Sequence, residues 1–304
     1  MSLGAPLPSL HPPTGGLGPL TAPLSLDPPR TDRAPVDAGA GLEAVPPLPA
    51  ISPLLLHWFT GYCRRYIRKH FHAVRVSRSA PPPAAPTLPL VLYANHASWW
   101  DPLVGLFLKS AFYPHHQLYA PIDAAMLRRY RMFGRMGFFG VEQGTRRGAV
   151  DFLRTSEAIL REPGRILAVT PQGRFADVRE RPLRFQPGLA HLAGRVHQAM
   201  FLPMATEFIF WDDRLPEVLV RFGEPLVLGR ASVAPLAVAE RSALLEQRLA
   251  ATQDVLAAEA RQRDPAAFRV LLRGGAGQGG IYDLWRSFRA RCRGESFTPD
   301  HTPE

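Results

Sequence analysis

Residues 88–102 read Leu88-Pro89-Leu90-Val91-Leu92-Tyr93-Ala94-Asn95-His96-Ala97-Ser98-Trp99-Trp100-Asp101-Pro102, and this stretch decides the fold. The apolar run Leu88–Ala94 is short, branched and aromatic, which predicts a buried strand. Asp101 followed by Pro102 is a good helix opening, because proline fixes φ at a helical value and lacks only an N–H that the first turn leaves unpaired. Outward from there the same alternation continues. Helices are expected at 102–110, 149–161 (closed by Pro163-Gly164) and 188–198, and strands at 165–170, 201–210 and 217–222. Strands alternating with amphipathic helices predict an α/β domain over 86–232, a mixed, mostly parallel central sheet flanked by helices.

The flanks differ in composition. Residues 1–50 hold 12 Pro and 6 Gly with two Arg against four acidic residues, and their apolar residues have no period. Such a segment cannot bury enough surface to offset chain entropy, so a disordered Pro-rich tail is expected, with a ligand for a proline-recognising module as the functional alternative. Residues 51–78 are expected as one amphipathic helix with Leu54, Leu55, Trp58, Phe59, Tyr62 and Tyr66 at helical spacing. From 51 to 80 there is no acidic residue and there are six basic ones. That pattern fits an interfacial membrane helix, or a helix packed on its own domain with solvated arginines. Five prolines make 80–89 a linker. Residues 233–293 are expected as a helical extension, with a long helix at 235–262, a short one from Asp264-Pro265, a Gly274–Gly280 hinge and a last helix at 281–291. Residues 294–304 read as a flexible tail.

The chain has 304 residues, 46% hydrophobic and 20% charged, so a sizeable core can form. All but Lys69 and Lys109 of its 36 basic residues are arginine, against 26 acidic residues, for a net charge of +10. A basic surface points to a polyanion: nucleic acid, anionic lipid or a phosphorylated cofactor. Two cysteines exclude a disulfide scaffold and a multi-cysteine metal site. No apolar run is long enough for an ordinary transmembrane helix, and the start lacks a secretory pattern.

The chemistry sits in the turn after the first strand. A histidine at the carboxyl end of a strand lies where open α/β sheets bind ligands. A turn can bring the Asp101 carboxylate to the His96 Nδ1–H, which fixes the tautomer and leaves Nε2 as a base. Such a pair with no partnered nucleophile suits deprotonation of a substrate hydroxyl. The structural alternative is a helix-capping aspartate and a hydrogen-bonded strand-end histidine. Other signals are discounted. The Gly275–Gly280 pattern has too little chain after it for a dinucleotide fold. His115 and His116 point apart, and His191 and His197 face solvent or neighbours. Ser98 has no nucleophile elbow around it.

Asn95-His96, four residues, then Asp101, with the Trp99-Trp100 pair, resembles the first motif of the glycerolipid acyltransferase superfamily. Three further blocks resemble that family's in order and approximate spacing. Gly137–Arg147 resembles the second, and Thr170-Pro171-Gln172-Gly173-Arg174, with the Phe185–Ala190 segment after it, resembles the third. Leu202-Pro203-Met204-Ala205 resembles the fourth. The resemblance covers about residues 50–230. It implies an O-acyltransferase in which His96 is the base for an acceptor hydroxyl attacking an acyl thioester, and Asp101 orients it. It further implies substrate binding by Asn95, Gly144, Arg146, Arg147, Pro171, Gln172, Gly173 and Arg174. Arginine forks match phosphate oxygens, and glycine admits close backbone N–H groups.

The implied donor is acyl-CoA or acyl carrier protein, with no separate cofactor or metal. The implied partners are a membrane surface and a lipid hydroxyl acceptor, with no nucleic acid, and the implied place is the cytoplasmic face of a membrane. The third block departs from the family: Gln172 replaces a glutamate, and Phe175 stands at the usual arginine position. Arg174, Arg179, Arg181 or Arg184 would have to serve instead. Otherwise the acceptor is a hydroxylated lipid without phosphate there, such as a glycolipid or isoprenoid alcohol, or the chain binds lipid without catalysis.

Overall fold

The structure is a computed structural model that describes residues 47–84, 86–275 and 289. Most of the expected tail over 1–50, most of the last helix at 281–291 and the whole 294–304 segment lie outside the described residues. The elements run α1 (Pro53–His70), β1 (Ala73–Ser77), β2 (Leu90–Ala94), α2 (Asp101–Phe112), β3 (Gln117–Asp123) and α3 (Ala124–Arg129). After a 3-10 turn (Arg131–Met136) come β4 (Phe138–Val141), α4 (Arg146–Ile159), β5 (Arg165–Val169), α5 (Gly188–Ala193), β6 (Ala199–Ile209), β7 (Glu217–Phe222) and β8 (Leu226–Leu228). The chain continues with α6 (Val238–Gln262), a short 3-10 turn (Pro265–Ala267) and β9 (Phe268–Arg273).

The nine strands form one mixed, mostly parallel sheet of order β4-β3-β5-β2-β6-β7-β1-β9, with β8 paired to β6. Strands β4, β3, β5, β2 and β6 all run the same way. The direction reverses at β7, which is antiparallel to β6 and parallel to β1. Five strands therefore deliver their carboxyl ends to one edge of the sheet.

Alternation along β2 separates the two cores. Leu90 and the half-buried Leu92 and Ala94 face a layer holding α1 and α2, through Cys63, Ile67, Val104 and Phe107. Val91 and Tyr93 face the opposite layer of α4, α5 and α6, through Ile159, Leu189, Leu192, Leu245 and Leu249. This is the period of two expected of a strand covered on both faces. Burial of the Cys63 thiol in the first layer pushes it up to about 12, so it stays protonated and packs as a small apolar group.

Several of these expectations are corrected here. The helix expected over 51–78 ends at His70, and Ala73–Ser77 is a buried strand instead. Arg75, expected among solvated or lipid-facing charges, is buried and forms a two-bond ion pair with Glu217 on β7, Nε–Oε2 at 2.9 Å and Nη2–Oε1 at 3.3 Å. The helix expected at 188–198 stops at Ala193, and Ala199 already begins β6. Residues 268–273, placed by sequence within a helical extension, form β9 and pair antiparallel with β1. Of the expected hinge, Gly274 N–H donates to the His72 carbonyl at 2.7 Å and Gly275 N–H to that of Arg68 at 3.1 Å. These two glycines fasten β9 to the end of α1, and the rest of the expected hinge, 276–280, lies outside the described residues.

One half-buried acid makes stability pH-dependent. Burial pushes the Glu207 carboxyl on β6 above its ordinary range, and the charges of Arg261 and Arg179 only partly offset this. The folded state then holds that proton more tightly than the unfolded chain, so stability falls as pH rises from the ordinary glutamate range to the raised value. Glu207→Gln is expected to match wild type under acidic conditions and to exceed it at neutral pH in urea unfolding. Parallel pH profiles for the two proteins would contradict this.

Candidate active site

The site is built where β2 leaves the sheet. Asn95 is buried, and its amide makes two bonds to the main chain of β6: Nδ2–H donates to the Thr206 carbonyl at 2.9 Å, and Oδ1 accepts the Thr206 N–H at 2.9 Å. Backbone pairing of β2 with β6 ends at Ala94 opposite Met204. The Asn95 side chain thus supplies a donor and an acceptor, as a peptide group would, one step beyond the last backbone pair. The backbone is free to turn away and present His96.

The turn closes tightly. Asp101 N–H donates to the Ser98 carbonyl at 3.1 Å, and the Asp101 Oδ2 accepts the Ser98 N–H at 3.0 Å. The same oxygen lies 2.8 Å from His96 Nδ1. A carboxylate can only accept, so Nδ1 carries the hydrogen, and in the neutral ring Nε2 is the nitrogen with the lone pair. The His96 side chain is 21% exposed and that of Asp101 11%, so the imidazole is reachable while its partner is largely withdrawn from water. The other carboxylate oxygen, Oδ1, is buried without a hydrogen bond among the described residues. Ser98 Oγ accepts the Trp100 N–H at 3.3 Å and serves the turn.

Aromatic groups border the imidazole. Phe175 packs on the His96 ring with centroids 4.2 Å apart, while more than half of its surface stays exposed. Trp99 is likewise more than half exposed and stacks on Trp100 at 4.4 Å. Trp100 turns inward against Tyr66 and Phe71, 5.3 and 4.9 Å away, so the motif is braced by the carboxyl end of α1. Sequence reasoning noted Phe175 only as a departure from the family's arginine and missed its contact with His96. The signal available was its position directly after Arg174, in the turn that the parallel alternation sets beside β2.

The remaining residues lie along the same sheet edge. Strand β5 neighbours β2, so Thr170–Arg174 starts beside His96, and the Ala176 N–H donates to the His96 carbonyl at 2.9 Å. Pro171 is buried, and its carbonyl accepts the Gln186 N–H at 2.8 Å. Gln172 is buried too. Its Nε2–H donates to the Leu183 carbonyl at 3.3 Å, and its Oε1 has no hydrogen bond among the described residues. Gly173 has φ +68°, and a Cβ there would lie 3.1 Å from the Gln186 Cγ, so this turn needs glycine. Arg174 is half exposed and ion-paired with Glu180.

Gly144, Arg146 and Arg147 stand three strands away, roughly 14 Å at the usual ~4.8 Å spacing. Thr145 caps α4 by accepting the Gly148 N–H at 2.9 Å. Arg147 is exposed and 3.8 Å from Asp151, and Arg146 is exposed with no ion pair among the described residues. The structure thus brings His96, Asp101 and the Thr170–Phe175 turn together, and sets the second block apart on the same edge. Of the substitutes for a phosphate-binding arginine, Arg179 pairs with Asp177 and Arg181 with Asp254. Arg184 has no ion pair among the described residues. The Arg179 side chain, with its backbone N–H, holds the Asp177 carboxyl below the usual carboxylate range.

No protein-family model matches the chain, and no curated protein matches it.

Proposed function

We propose that the chain is an O-acyltransferase working at a membrane surface. The observation that carries the reading is the 2.8 Å contact between His96 Nδ1 and Asp101 Oδ2 at the carboxyl edge of the parallel strands, with Nε2 left as the basic atom. Nε2 takes the proton of a lipid hydroxyl, and the oxygen attacks the thioester carbonyl of acyl-CoA or acyl carrier protein. The C–S bond breaks, the ester forms, and the departing thiolate takes the proton back from the imidazolium. The Asp101 carboxylate steadies the imidazolium formed in between. The acceptor is a lysophospholipid or a glycerol-phosphate-type lipid, with Arg146 and Arg147, further along the same edge, as the groups that would meet a phosphate.

The place is the cytoplasmic face of a membrane. Among the described residues no helix is long and apolar enough to cross one, and the exposed Leu54, Trp58 and Tyr62 of α1, beside Arg64, Arg65 and Arg68, support surface attachment.

A second acceptor reading has its own support. Arg174, which would meet a phosphate beside His96, is engaged by Glu180, and the apolar ring of Phe175 covers the imidazole. Both features favour an acceptor with no phosphate next to its hydroxyl, such as a glycolipid or isoprenoid alcohol.

One assay tests both. Purified protein is given radiolabelled acyl-CoA, then acyl carrier protein thioester, with lysophosphatidic acid, glycerol 3-phosphate, a glycolipid and an isoprenoid alcohol in turn. A labelled ester with one of the phosphate acceptors supports the first reading, and one formed only with the last two supports the second. No ester with any acceptor overturns the enzyme reading in favour of a lipid-binding role.

A further inference from the structure

The segment between β3 and β4 is not part of the sequence motifs, yet its surface is unusual. From Ala124 to Gly137 there is no acidic residue, and Arg128, Arg129, Arg131 and Arg135 are all exposed. Three large apolar side chains are exposed among them: Met126 at 45%, Tyr130 at 39% and Met132 at 40%. Nothing in the local fold requires this. The inward groups, Leu127, Phe133 and the buried Met136, already tie α3 and the 3-10 turn to the body through Gly140, Phe138 and the core. Exposed methionine and tyrosine with arginine on every side is a costly surface in water but a favourable one at a lipid headgroup layer, where apolar tips enter and guanidinium groups meet phosphates. Arg129 lies over the Tyr130 ring, 5.3 Å from its centroid, so the pair presents a charge and an amphipathic ring together.

The placement adds to this. Strand β3 delivers α3 at the same sheet edge that carries His96. The far end of the segment is joined to the start of α1, where the Ser52 N–H donates to the Arg135 carbonyl at 2.8 Å. Leu54, 80% exposed, stands two residues further on.

We propose that α3 and the following 3-10 turn form a second membrane anchor beside α1, specific for an anionic bilayer. With two anchors the protein cannot pivot about α1 alone. The carboxyl edge of the sheet is held against the lipid, so an acceptor can reach His96 without leaving the membrane. The anchor is a property of the surface and does not depend on the chemistry at His96. Vesicle binding and acyl transfer can therefore fail separately.

The test is vesicle co-sedimentation of the full chain, using phosphatidylcholine alone and an equimolar mixture with phosphatidylglycerol. An arginine near an anionic surface contributes about fivefold to partitioning. Replacing all four arginines by glutamine is therefore expected to lower binding to the anionic vesicles at least tenfold, and to leave the weak binding to phosphatidylcholine little changed. Met126→Ser/Tyr130→Ser/Met132→Ser is expected to weaken binding to both. Circular dichroism and thermal melts confirm that each variant is folded, and Leu54→Ser/Trp58→Ser provides the comparison at α1. If both α3 variants bind like wild type while the α1 variant does not, α1 is the sole anchor and the proposal is overturned. Salt-sensitive retention on double-stranded DNA without vesicle binding also overturns it.

Discussion

His96→Ala is expected to lower acyl-transfer turnover by about 10²- to 10⁴-fold, the usual contribution of a positioned general base, with the folded state intact. The imidazole makes a single side-chain hydrogen bond, to Asp101, and packs on the exposed Phe175, so little of the core depends on it. Asp101 separates two parts of the effect. Asp101→Asn keeps an oxygen able to accept from Nδ1, so the tautomer survives, but the charge that stabilises the imidazolium is gone. A charged acceptor is stronger than a neutral one by about 1 to 2 kcal/mol, so a loss of roughly tenfold is expected. Asp101→Ala removes both functions and frees the Ser98 N–H and the ring, so its loss should approach that of His96→Ala. The two residues act as one unit, so the double alanine variant should be no slower than His96→Ala alone. Steady-state rates with whichever acceptor that assay identifies, alongside thermal melts, decide the matter. A folded His96→Ala protein retaining more than a tenth of wild-type turnover would remove His96 from the mechanism.

The contrast between what could be read from the chain and what could not has a physical basis. Strand β2, the helix opening at Asp101, strands β5, β6 and β7 and the long helix α6 were all legible, because each carries its period in its own residues. Val91 and Tyr93 face one layer and Leu90 and Leu92 the other, as a doubly covered strand must. The misread elements depend on partners far along the chain. Arg75 looks like a surface charge until Glu217, 142 residues away, pairs with it inside the sheet, and without that partner Ala73–Ser77 extends the basic helix before it. Strand β9 exists because β1 offers an open edge, a fact absent from residues 268–273 themselves. Strand β3 contains Pro121, normally a mark against a strand interior, and its loss from the reading concealed α3 with it. At the site, the His96–Asp101 pairing was legible because it spans five residues. The Asn95–Thr206 link spans 111 and was not.

That link carries the second large effect. Sequence resemblance places Asn95 among substrate-binding residues, whereas its amide is spent on the Thr206 main chain. Asn95→Ala leaves a buried N–H and a buried C=O of β6 without their partners. At about 1–3 kcal/mol for each unsatisfied group, the expected loss is about 2–6 kcal/mol of stability, which urea unfolding will show as a lower midpoint with an unchanged slope. Asn95→Asp should be no better. Its carboxylate can still accept from the Thr206 N–H, but it sets a second acceptor against the Thr206 carbonyl and buries a charge. Activity should fall through turnover rather than acceptor affinity, because the ladder that Asn95 extends is what holds the next residue, His96, at the rim. A wild-type urea midpoint combined with a raised KM for the acceptor would return Asn95 to the substrate site and leave the turn at His96 held by Asp101, Ser98 and the Ala176 N–H.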